Sequence, residues 1–424
     1  MRQVTLSAVV VVIASWTVFG QSIEPVLSGV RGERTGLIAT MRELVAIESG
    51  SSDIEGLNRI SDAIAVRLRA LGADVELVEP PANMVRFENT PTRTGRSVVG
   101  RFRGTGTRRI LLLAHMDTVY PRGMLAKQPF RVEGDRAYGL GIADDKHGIA
   151  LILHTMAVLN ALKFRDYAAI TVLITADEEV SSPGSRGLIT KLGSEHDLVL
   201  SCEGHGPGDD LRLTTAGIAA VQLKVTGRAS HAGASPEQGR NALYELAHQI
   251  LQARDLSNPA TGVKVNWTLA SAGTVRNAIP ANAQATADVR VLRVGDYDGV
   301  ERQLRERIRT TLIPDTTVQM VFERARPPLE ATSASRAVAA YAQRIYRELG
   351  KELAIQESSP GGGTDAAFAS LNTKAAVVEG FGLKTFGAHS NDAEFVDLSS
   401  IEPRLYLLSR LIMDAAQGKA GSEN

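Results

Sequence analysis

The sequence is poor in cysteine and carries no excess charge of either sign. Cys202 is the only cysteine among 424 residues, so the fold has no internal disulfide and must be held by its core or by metal. Lys and Arg together number 47, as do Asp and Glu, which gives a formal net charge of zero. This balance does not predict a bulk electrostatic partner such as nucleic acid or an anionic membrane. Binding specificity must therefore come from a local site.

The chain also lacks a nucleotide-binding signature, an internal repeat and a low-complexity segment. Three glycines follow one another at Gly361–Gly363, but the Walker lysine and the GxGxxG spacing are both absent. We therefore exclude a phosphate-binding loop at this position. The length, with 44% hydrophobic and 22% charged residues, is typical of a globular protein with two or three domains.

The first 20 residues have the composition of a signal peptide. Arg2 supplies a positive charge, Val4–Phe19 is mostly apolar, and Val18 and Gly20 are small enough to precede a cleavage site. The apolar run is short for a spanning helix, although an uncleaved membrane anchor is the alternative interpretation. No cysteine follows that would carry a lipid. We expect cleavage after residue 20 and a mature protein that is secreted or periplasmic and not attached to a membrane.

Apolar runs and helical spacing alternate along the first half of the chain. Buried strands are predicted at Arg109–Ala114, Ala169–Thr175 and Asp197–Ser201. Helices are predicted at Gly36–Ile47, Glu55–Leu71 and Gly148–Leu162. This alternation predicts an α/β domain with a mixed, mostly parallel sheet that is flanked by helices.

The pattern changes near Gly217, where apolar and polar residues alternate as in a strand buried on one side. From there the predicted order is strand, helix, strand, strand, helix, strand, which is the α+β ferredoxin-like unit. Pro327 and Pro328 mark its end. The predicted divisions are a signal peptide at 1–20, a catalytic domain formed by 21–215 and 327–424, and an inserted dimerisation domain at 216–326.

Acidic and imidazole side chains follow the predicted buried strands. They are His115 and Asp117 after the first strand, Asp177, Glu178 and Glu179 after the second, Glu203 after the third, and Asp144 and Asp145 in a glycine-rich loop. Because open α/β sheets bind ligands outside the carboxyl ends of their strands, these side chains should converge. The carboxylates would repel one another, and a divalent cation is the simplest compensation. Imidazole and carboxylate ligands suit zinc, and suit cobalt or manganese less well.

Each of these features is weak evidence alone. A lone histidine at a strand end is more often structural than a metal ligand, and an acidic pair is usually a solvated turn. The convergence of several such residues at strand ends favours a metal site over these simpler interpretations.

The ordered motifs resemble those of one enzyme family. They are His115-x-Asp117, Gly141-x-x-Asp144-Asp145-Lys146, Asp177-Glu178-Glu179, the later Glu203, and His389. The set resembles the zinc exopeptidase family of carboxypeptidase G, the aminoacylases and succinyl-diaminopimelate desuccinylase, over essentially the whole mature chain. Within that family it is most similar to carboxypeptidase G, a secreted glutamate carboxypeptidase, in the stretches Ser230–Gly233, Asn266–Thr268 and Gly361–Ala366.

The resemblance implies two zinc ions per subunit, held by five side chains. Asp144 would bridge the ions, His115 and Glu203 would complete one site, and Glu179 and His389 would complete the other. Two metals that share a carboxylate lie roughly 3.5–4 Å apart. Asp117 would hydrogen-bond His115 and fix its tautomer. The peptide bond after Asp144 is expected to be cis.

Catalytic roles follow from the same comparison and from position. Glu178 directly precedes a ligand, so it is the candidate general base and later the proton donor to the leaving amine. The resemblance implies that His231, from the inserted domain of a partner subunit, stabilises the oxyanion. The active form is therefore expected to be a homodimer.

The substrate is expected to be a small molecule with a free carboxylate. Arg290 lies on a predicted strand of the inserted domain, and its guanidinium matches a carboxylate bidentately. Taken alone, Arg290 would be interpreted as part of an ion pair on the sheet surface. The resemblance gives Arg290 and Asn277 to substrate binding, and Gly362 and Thr364 are further candidates.

The sequence departs from the family pattern near the predicted metal ligands. Gly204 stands where proline is usual and is followed by His205, and His147 stands where glycine is usual. We expect both imidazoles in solvent-exposed loops, with substrate contact as the alternative. His196 is likewise expected to face solvent. These changes bear on side-chain specificity more than on hydrolysis.

Three functions remain in competition. The first is removal of a C-terminal glutamate from folate-type or N-acyl glutamate substrates, which is our prediction. The second is an N-acyl-amino-acid deacylase or dipeptidase that shares the metal ligands and differs in side-chain preference. The third is a non-catalytic binding protein on the same scaffold, which the retention of Glu178 and all five apparent ligands disfavours.

Overall fold

The computed structural model describes residues 17–88, 90–359, 361–390 and 393–420. Most of the predicted signal peptide lies outside these residues. The helices are α1 Thr17–Val45, α2 Ile54–Ala70, α3 His147–Ala161, α4 Arg186–Glu195, α5 Ala242–Gln252, α6 Asp296–Arg307, α7 Ser333–Arg347, α8 Ala366–Ala369 and α9 Ile401–Ala416. In the described part of the chain, none of the helices has the length and apolar character needed to span a bilayer.

Sixteen strands are assigned in the described residues and form four sheets. They are β1 Asp74–Val78, β2 Ser97–Arg103, β3 Arg109–His115, β4 Arg131–Glu133, β5 Arg136–Tyr138, β6 Ala169–Thr175, β7 Leu198–Ser201, β8 Asp210–Arg212, β9 Gly217–Thr226, β10 Lys264–Ala272, β11 Asn282–Val291, β12 Thr317–Arg326, β13 Ala354–Gln356, β14 Ala376–Val378, β15 Thr385–Phe386 and β16 Phe395–Asp397.

The largest sheet has six strands in the order β1-β2-β6-β3-β7-β14. The pairs β3–β6, β3–β7 and β7–β14 are parallel, whereas β1–β2 and β2–β6 are antiparallel. Both faces are covered: Leu112 belongs to the core shared with α3 and α9, and Leu111 and Leu113 belong to the core shared with α4 and α8. Burial on both faces explains the continuous apolar runs. The predicted mixed α/β class is confirmed.

Helix α1 begins well before the predicted start at Gly36. Its residues Val26, Val30, Leu37 and Met41 are all buried in the main core. This spacing of four and seven residues keeps the apolar side chains on one face of the helix. Pro25 lies inside the helix and costs a backbone hydrogen bond, which the packing of this face offsets.

The elements β9, α5, β10, β11, α6 and β12 form an antiparallel sheet in the order β10-β11-β9-β12 with two helices. Buried and less buried residues alternate along β9, and Leu223 and Val225 pack with Leu246 of α5. The sequence predicts a charged helix at Tyr297–Leu312, whereas α6 ends at Arg307. The N–H groups of Leu312 and the next residue donate to the carboxylate of Glu245 instead of continuing the helix.

Two small sheets complete the fold. Strands β8 and β13 pair in parallel, and β15, β16, β5 and β4 form an antiparallel sheet. A backbone bridge between Arg212, the last residue of β8, and Glu379 connects the first of them to the chain that follows β14. These connections position the loops around the edge where β3, β6 and β7 end.

Candidate active site

Polar side chains follow the three parallel strands β3, β6 and β7 at one edge of the six-stranded sheet. His115 is the last residue of β3. Glu178 and Glu179 begin a short 3-10 turn after β6, and Glu203 lies just after β7. Asp144 is in an irregular turn that leads into α3. The edge therefore collects one imidazole and four carboxylates, as the strand ends predict.

The first group of donors is His115, Asp144 and Glu203. The Nε2 atom of His115 is 2.8 Å from Oδ1 of Asp144 and 3.3 Å from Oε1 of Glu203. Its other nitrogen, Nδ1, lies 3.1 Å from the main-chain oxygen of Asp117 and 3.4 Å from the carboxylate of the same residue. With Nδ1–H donating to Asp117, the Nε2 lone pair faces the two carboxylates, which is the arrangement of a metal-ligating imidazole.

The second group of donors is Asp144, Glu179 and His389. The Nε2 atom of His389 is 3.1 Å from Oδ2 of Asp144 and 3.1 Å from Oε2 of Glu179. Asp144 thus directs one carboxylate oxygen to each group. The peptide bond between Asp144 and Asp145 is cis, as the resemblance implies.

The two groups fit a pair of cations. In each group, three donor atoms lie within 4.8 Å of one another. The Oε1 atom of Glu179 is buried and has no hydrogen-bond partner, so the site leaves a carboxylate oxygen for a ligand to satisfy. Burial raises the pKa of Glu179 to about 7, which means that added positive charge is needed to keep it ionised. Imidazole and carboxylate donors are those that zinc accepts.

A proton on His389 supplies part of that positive charge when metal is absent. Hydrogen bonds to Asp144 and then to Glu179 raise the pKa of His389 to about 10. The same nitrogen, Nε2, faces both carboxylates, so a cation and this proton occupy the same position. Metal binding would displace the proton, as expected for an imidazole ligand.

Asp117 organises this edge through its fully buried carboxylate. It accepts hydrogen bonds from the Ser51 hydroxyl at 2.8 Å, from the N–H of Glu178 at 3.0 Å and from the N–H of Glu179 at 3.2 Å. The main-chain oxygen of Asp117, rather than its carboxylate, is the nearest acceptor for His115. The carboxylate of Asp117 therefore mainly fixes the turn that carries Glu178 and Glu179.

Arg326 contacts the predicted general base and was missed by the sequence analysis. It is the last residue of β12 and is 3% exposed. Its Nη1 donates to Oε1 of Glu178 at 2.6 Å, and its Nη2 donates to the main-chain oxygen of Glu178 at 2.5 Å. Burial raises the pKa of Glu178 well above its ordinary value, and the charge of Arg326 opposes this rise. A bulge between Arg324 and Arg326 interrupts the strand register. The sequence predicts a strand only at Thr317–Arg324, which ends before the bulge.

The donor groups open into a cavity of about 670 Å³. Its wall combines loops that follow strands of the six-stranded sheet, strands β9, β11 and β12, and the chain around residues 359–364. Three of the predicted substrate-binding residues line it, namely Arg290, Gly362 and Thr364. Further lining residues that the sequence did not single out are Arg212, Arg326, Glu379 and Phe386.

Arg290 is both an ion-pair partner on the sheet and a wall of the cavity. Its Nε and Nη2 atoms each donate to the carboxylate of Asp288 at 2.9 Å, and its Nη1 donates to the main-chain oxygen of Gly361 at 2.9 Å. Three of the five guanidinium donors are thus used, which leaves two for a ligand. The two interpretations of Arg290 are therefore compatible.

Thr364 and Gly362 are fixed by hydrogen bonds within the wall. The Thr364 hydroxyl donates to Oε2 of Glu379 at 2.9 Å, and the N–H of Ala216 donates to the main-chain oxygen of Gly362 at 2.8 Å. Glu379 is fully buried, and this burial, with the nearby charge of Glu203, raises its pKa to about 8. The hydrogen bonds of Thr364 and Gly362 fix this part of the wall.

His231 and Asn277 lie outside the cavity of their own chain. They are neighbours in the unit formed by β9, α5, β10, β11, α6 and β12, where the N–H of Ala232 donates to the main-chain oxygen of Asn277 at 2.9 Å. Both residues are exposed. The Nδ1 atom of His231 accepts from the N–H of Gly233 at 3.1 Å and of Ala234 at 3.0 Å, which orients the ring. The chain by itself does not bring these two residues to the donor groups.

The expectation that three histidines face solvent is wrong. His147 and His205 are fully buried and His196 is 9% exposed. Each imidazole bonds a main-chain oxygen through Nδ1: His147 that of Ile142 at 2.9 Å, His196 that of Leu192 at 2.7 Å, and His205 that of Gly208. His196 also bonds the Thr171 hydroxyl through Nε2, whereas the Nε2 atoms of His147 and His205 are buried without a hydrogen-bond partner among the described residues. None of the three lines the cavity, so the alternative of substrate contact is not supported.

Comparisons with known proteins agree with this geometry. Residues 111–414 match peptidase family M20/M25/M40. The chain is 44% identical over 388 residues to carboxypeptidase G2 of Pseudomonas sp. (strain RS-16), which covers 91% of both chains. It is 26% identical over 404 residues to acetylornithine deacetylase of Proteus mirabilis (strain HI4320), covering 88% of this chain and 95% of that one.

A solved structure supports the fold independently. The aminopeptidase PepT from Bacillus cereus ATCC 10987 is similar with a TM-score of 0.74 at 20% identity, over 90% of this chain and 99% of that chain. The family resemblance and the class of enzyme predicted from the motifs are confirmed. The chain belongs to peptidase family M20/M25/M40 and is a metal-dependent exopeptidase.

Proposed function

We propose that the chain is an exported carboxypeptidase that holds two zinc ions and hydrolyses the amide bond to a C-terminal glutamate, in folate-type or N-acyl glutamate substrates. The observation that supports this most directly is the pair of donor groups that share Asp144 and open into a cavity lined by arginines. The similarity to carboxypeptidase G2 of Pseudomonas over most of both chains supports the same activity.

The metal ligands in this proposal are the five side chains named above. His115 and Glu203 would hold one ion, Glu179 and His389 the other, and Asp144 both. When bound, zinc supplies Lewis-acid chemistry: it polarises the amide carbonyl and lowers the pKa of coordinated water to about 7. Asp117 would support this arrangement by fixing the turn of Glu179 and the ring of His115.

Glu178 would carry the protons of the reaction. Its carboxylate takes one proton from the attacking water as the new C–O bond forms, and then gives it to the amide nitrogen as the C–N bond breaks. The products are a free carboxylate on the acyl side and a free amine on the released amino acid. The raised pKa of Glu178 suits a group that must hold a proton between these two steps. The hydrogen bond from Arg326 fixes the position of one carboxylate oxygen.

The oxyanion would be stabilised by His231 of the partner subunit in a homodimer. The exposed location of His231 and Asn277, away from their own cavity, is compatible with a role in the cavity of a second copy. An apolar surface for that copy exists on α5, where Leu243, Tyr244 and Leu251 are between 45% and 61% exposed. Among the residues that the structure describes, β10 has no further strand partner and is an edge of its sheet.

Arg290, Asn277, Gly362 and Thr364 are the proposed substrate-binding residues. Arg290 retains two guanidinium donors and is the proposed ligand of the free α-carboxylate. Export is proposed from the composition of residues 1–20 alone.

Metal analysis combined with a panel of conjugates tests this function. The purified chain should contain about two zinc ions and lose activity on chelation, and zinc should restore it. N-acyl glutamates and folate-type conjugates should be cleaved faster than alanine, leucine or ornithine analogues. An active enzyme without transition metal would contradict the metal assignment, and a preference for neutral or basic leaving residues would favour the deacylase or dipeptidase alternative.

A further inference from the structure

Three arginines line the cavity, namely Arg212, Arg290 and Arg326, and the hydrogen bonding of Arg212 differs from that of the other two. It is the last residue of β8, in which Leu211 is buried in the core and Arg212 on the other side lines the cavity. Its backbone is fixed, because its N–H donates to the main-chain oxygen of Glu379 at 2.9 Å and its own oxygen accepts from the N–H of Glu379 at 3.0 Å. The main chain of β8 and its bridge to Glu379 therefore fix the point from which the Arg212 side chain extends.

The other two cavity arginines are engaged by the protein. Arg290 is bound to Asp288 and to a main-chain oxygen, and Arg326 is bound twice to Glu178. The guanidinium of Arg212, in contrast, makes no hydrogen bond or ion pair with any other residue that the structure describes. The guanidinium of Arg212 is partly exposed in the cavity wall, and all five of its N–H donors remain for a bound ligand.

Glu379 is an acidic neighbour that makes no ion pair with Arg212. The charge of Arg212 nevertheless acts to lower the pKa of Glu379. The Oε2 atom of Glu379 instead accepts a hydrogen bond from the Thr364 hydroxyl. No hydrogen bond or ion pair with a described residue therefore compensates the charge of Arg212.

The space in front of Arg212 is open because small residues line it. Gly204, Gly206 and Pro207 belong to the loop that leads from the donor residue Glu203 to β8, and all line the cavity. A Cβ atom at Gly206 would come 3.9 Å from Nη2 of Arg212, within ordinary contact distance. A ligand held at the donor groups can thus extend toward Arg212 along a wall that lacks bulky side chains.

We infer that Arg212 is the specificity-determining residue of this site and binds the side-chain carboxylate of an acidic leaving amino acid. The inference rests on the proposed function, and it divides the recognition between two arginines. Arg290 binds the α-carboxylate that every C-terminal residue carries, and Arg212 binds the carboxylate that only an acidic side chain carries. A guanidinium left without its carboxylate partner in such a wall disfavours neutral side chains.

The test compares N-acyl glutamate with N-acyl glutamine on the zinc-loaded enzyme. The two substrates share the α-carboxylate and nearly the same shape, so the ratio of their kcat/KM values reports the side-chain charge alone. The wild-type ratio should favour glutamate by roughly 10- to 100-fold, the range of a charge-assisted hydrogen bond. Arg212→Met should bring the ratio close to one, Arg212→Lys should restore part of it, and Arg212→Glu should invert the preference toward lysine conjugates.

Arg302→Met is the matched control, because Arg302 is an exposed arginine of α6 that is not among the cavity-lining residues. It should leave the ratio unchanged. If Arg212→Met lowers both substrates equally, Arg212 binds the α-carboxylate and the inference is overturned. If it lowers only the melting temperature while the ratio stays high, the arginine merely balances Glu379, and the inference is likewise overturned.

Binding of the free products separates this inference from the proposed function. Calorimetric titration of the zinc-loaded wild type with free glutamate and free glutamine needs no turnover. Tighter binding of glutamate that disappears in Arg212→Met supports the inference even if no conjugate is cleaved, a result that would defeat the proposed function alone. Equal binding of the two amino acids by the wild type would overturn the inference while hydrolysis stands.

Discussion

Arg326 and Glu178 are joined by two hydrogen bonds, one to the carboxylate and one to the main-chain oxygen. The arginine ends the last strand of the four-stranded sheet, and the glutamate follows a strand of the six-stranded sheet. This contact supplies a defined orientation to a carboxylate whose proposed role is proton transfer. It also gives the first mutational prediction.

Arg326→Met should lower kcat by roughly 10- to 100-fold, because Glu178 loses a charge-assisted hydrogen bond that fixes its oxygen. Zinc content should stay at the wild-type value, since Arg326 is not one of the donors. Arg326→Lys should recover part of kcat through a single donor. Steady-state kinetics and metal analysis on the three proteins check this, and a change confined to KM would contradict the positioning role.

Glu178→Gln should reduce kcat by roughly 10²- to 10⁴-fold, the usual contribution of general acid–base catalysis. The amide keeps the shape of the side chain and cannot accept the proton from water. Zinc binding should persist because Glu178 belongs to neither donor group. Glu352→Gln, at an exposed position on the surface, is the control and should behave as the wild type. Full activity of Glu178→Gln would remove the proposed mechanism.

Asp144 and His389 should differ in their effect on metal content. Asp144→Asn weakens both donor groups, so zinc should fall from about two ions per chain toward none. His389→Ala affects only the group with Glu179, so about one ion should remain. Inductively coupled plasma mass spectrometry after dialysis measures both. Equal loss in the two variants would argue against two separate sites that share Asp144.

Two inactive variants should complement each other if His231 acts in the partner subunit. In a mixed dimer of Glu178→Ala and His231→Ala chains, one site keeps both residues and the other lacks both. Random mixing in equal amounts should therefore recover about a quarter of wild-type activity. The mixture is prepared by co-expression and assayed against each variant alone. Activity no higher than that of the single variants would place His231 outside the partner's site.

The buried imidazole of His196 should make unfolding dependent on pH. Burial lowers its pKa below the ordinary value of 6.5, although the main-chain oxygen of Leu192 opposes the shift. The unfolded chain therefore binds this proton more readily, so the contribution of His196 is fully present above about pH 6.5 and is lost as the pH falls below it. Denaturant unfolding of wild type and His196→Asn at pH 7.5, 6.5 and 5.5 measures the difference, which should shrink toward acid. A pH-independent difference would contradict this account.

The position of the site was predictable because parallel strands place their carboxyl ends together. His115 and Glu203 lie far apart in sequence, yet each follows an apolar run, and the order of strands brings Nε2 and Oε1 to 3.3 Å. The alternating pattern of β9 likewise predicts a strand with one buried face. Both inferences rest on periodicity and burial, which are local properties of the sequence.

Contacts that depend on irregular backbone were not predictable in the same way. The inward direction of Arg326 follows from a bulge, which shifts the register without a mark in the sequence. His147 and His205 are buried where the main-chain oxygens of Ile142 and Gly208 accept hydrogen bonds from their Nδ1 atoms. Such pairings are set by loop geometry, so residue type alone suggested solvent exposure and was wrong.

The two hydrogen bonds between Arg326 and Glu178 connect the sheet that contains β12 to the chain that follows β6 of the six-stranded sheet. A rigid-body rotation of the four-stranded unit away from the rest of the chain would have to withdraw the guanidinium and break both hydrogen bonds. The orientation of the Glu178 carboxylate, the proposed proton carrier, therefore depends on how these two sheets are positioned against each other. We therefore expect catalysis to depend on their relative placement as much as on the residues at the strand ends.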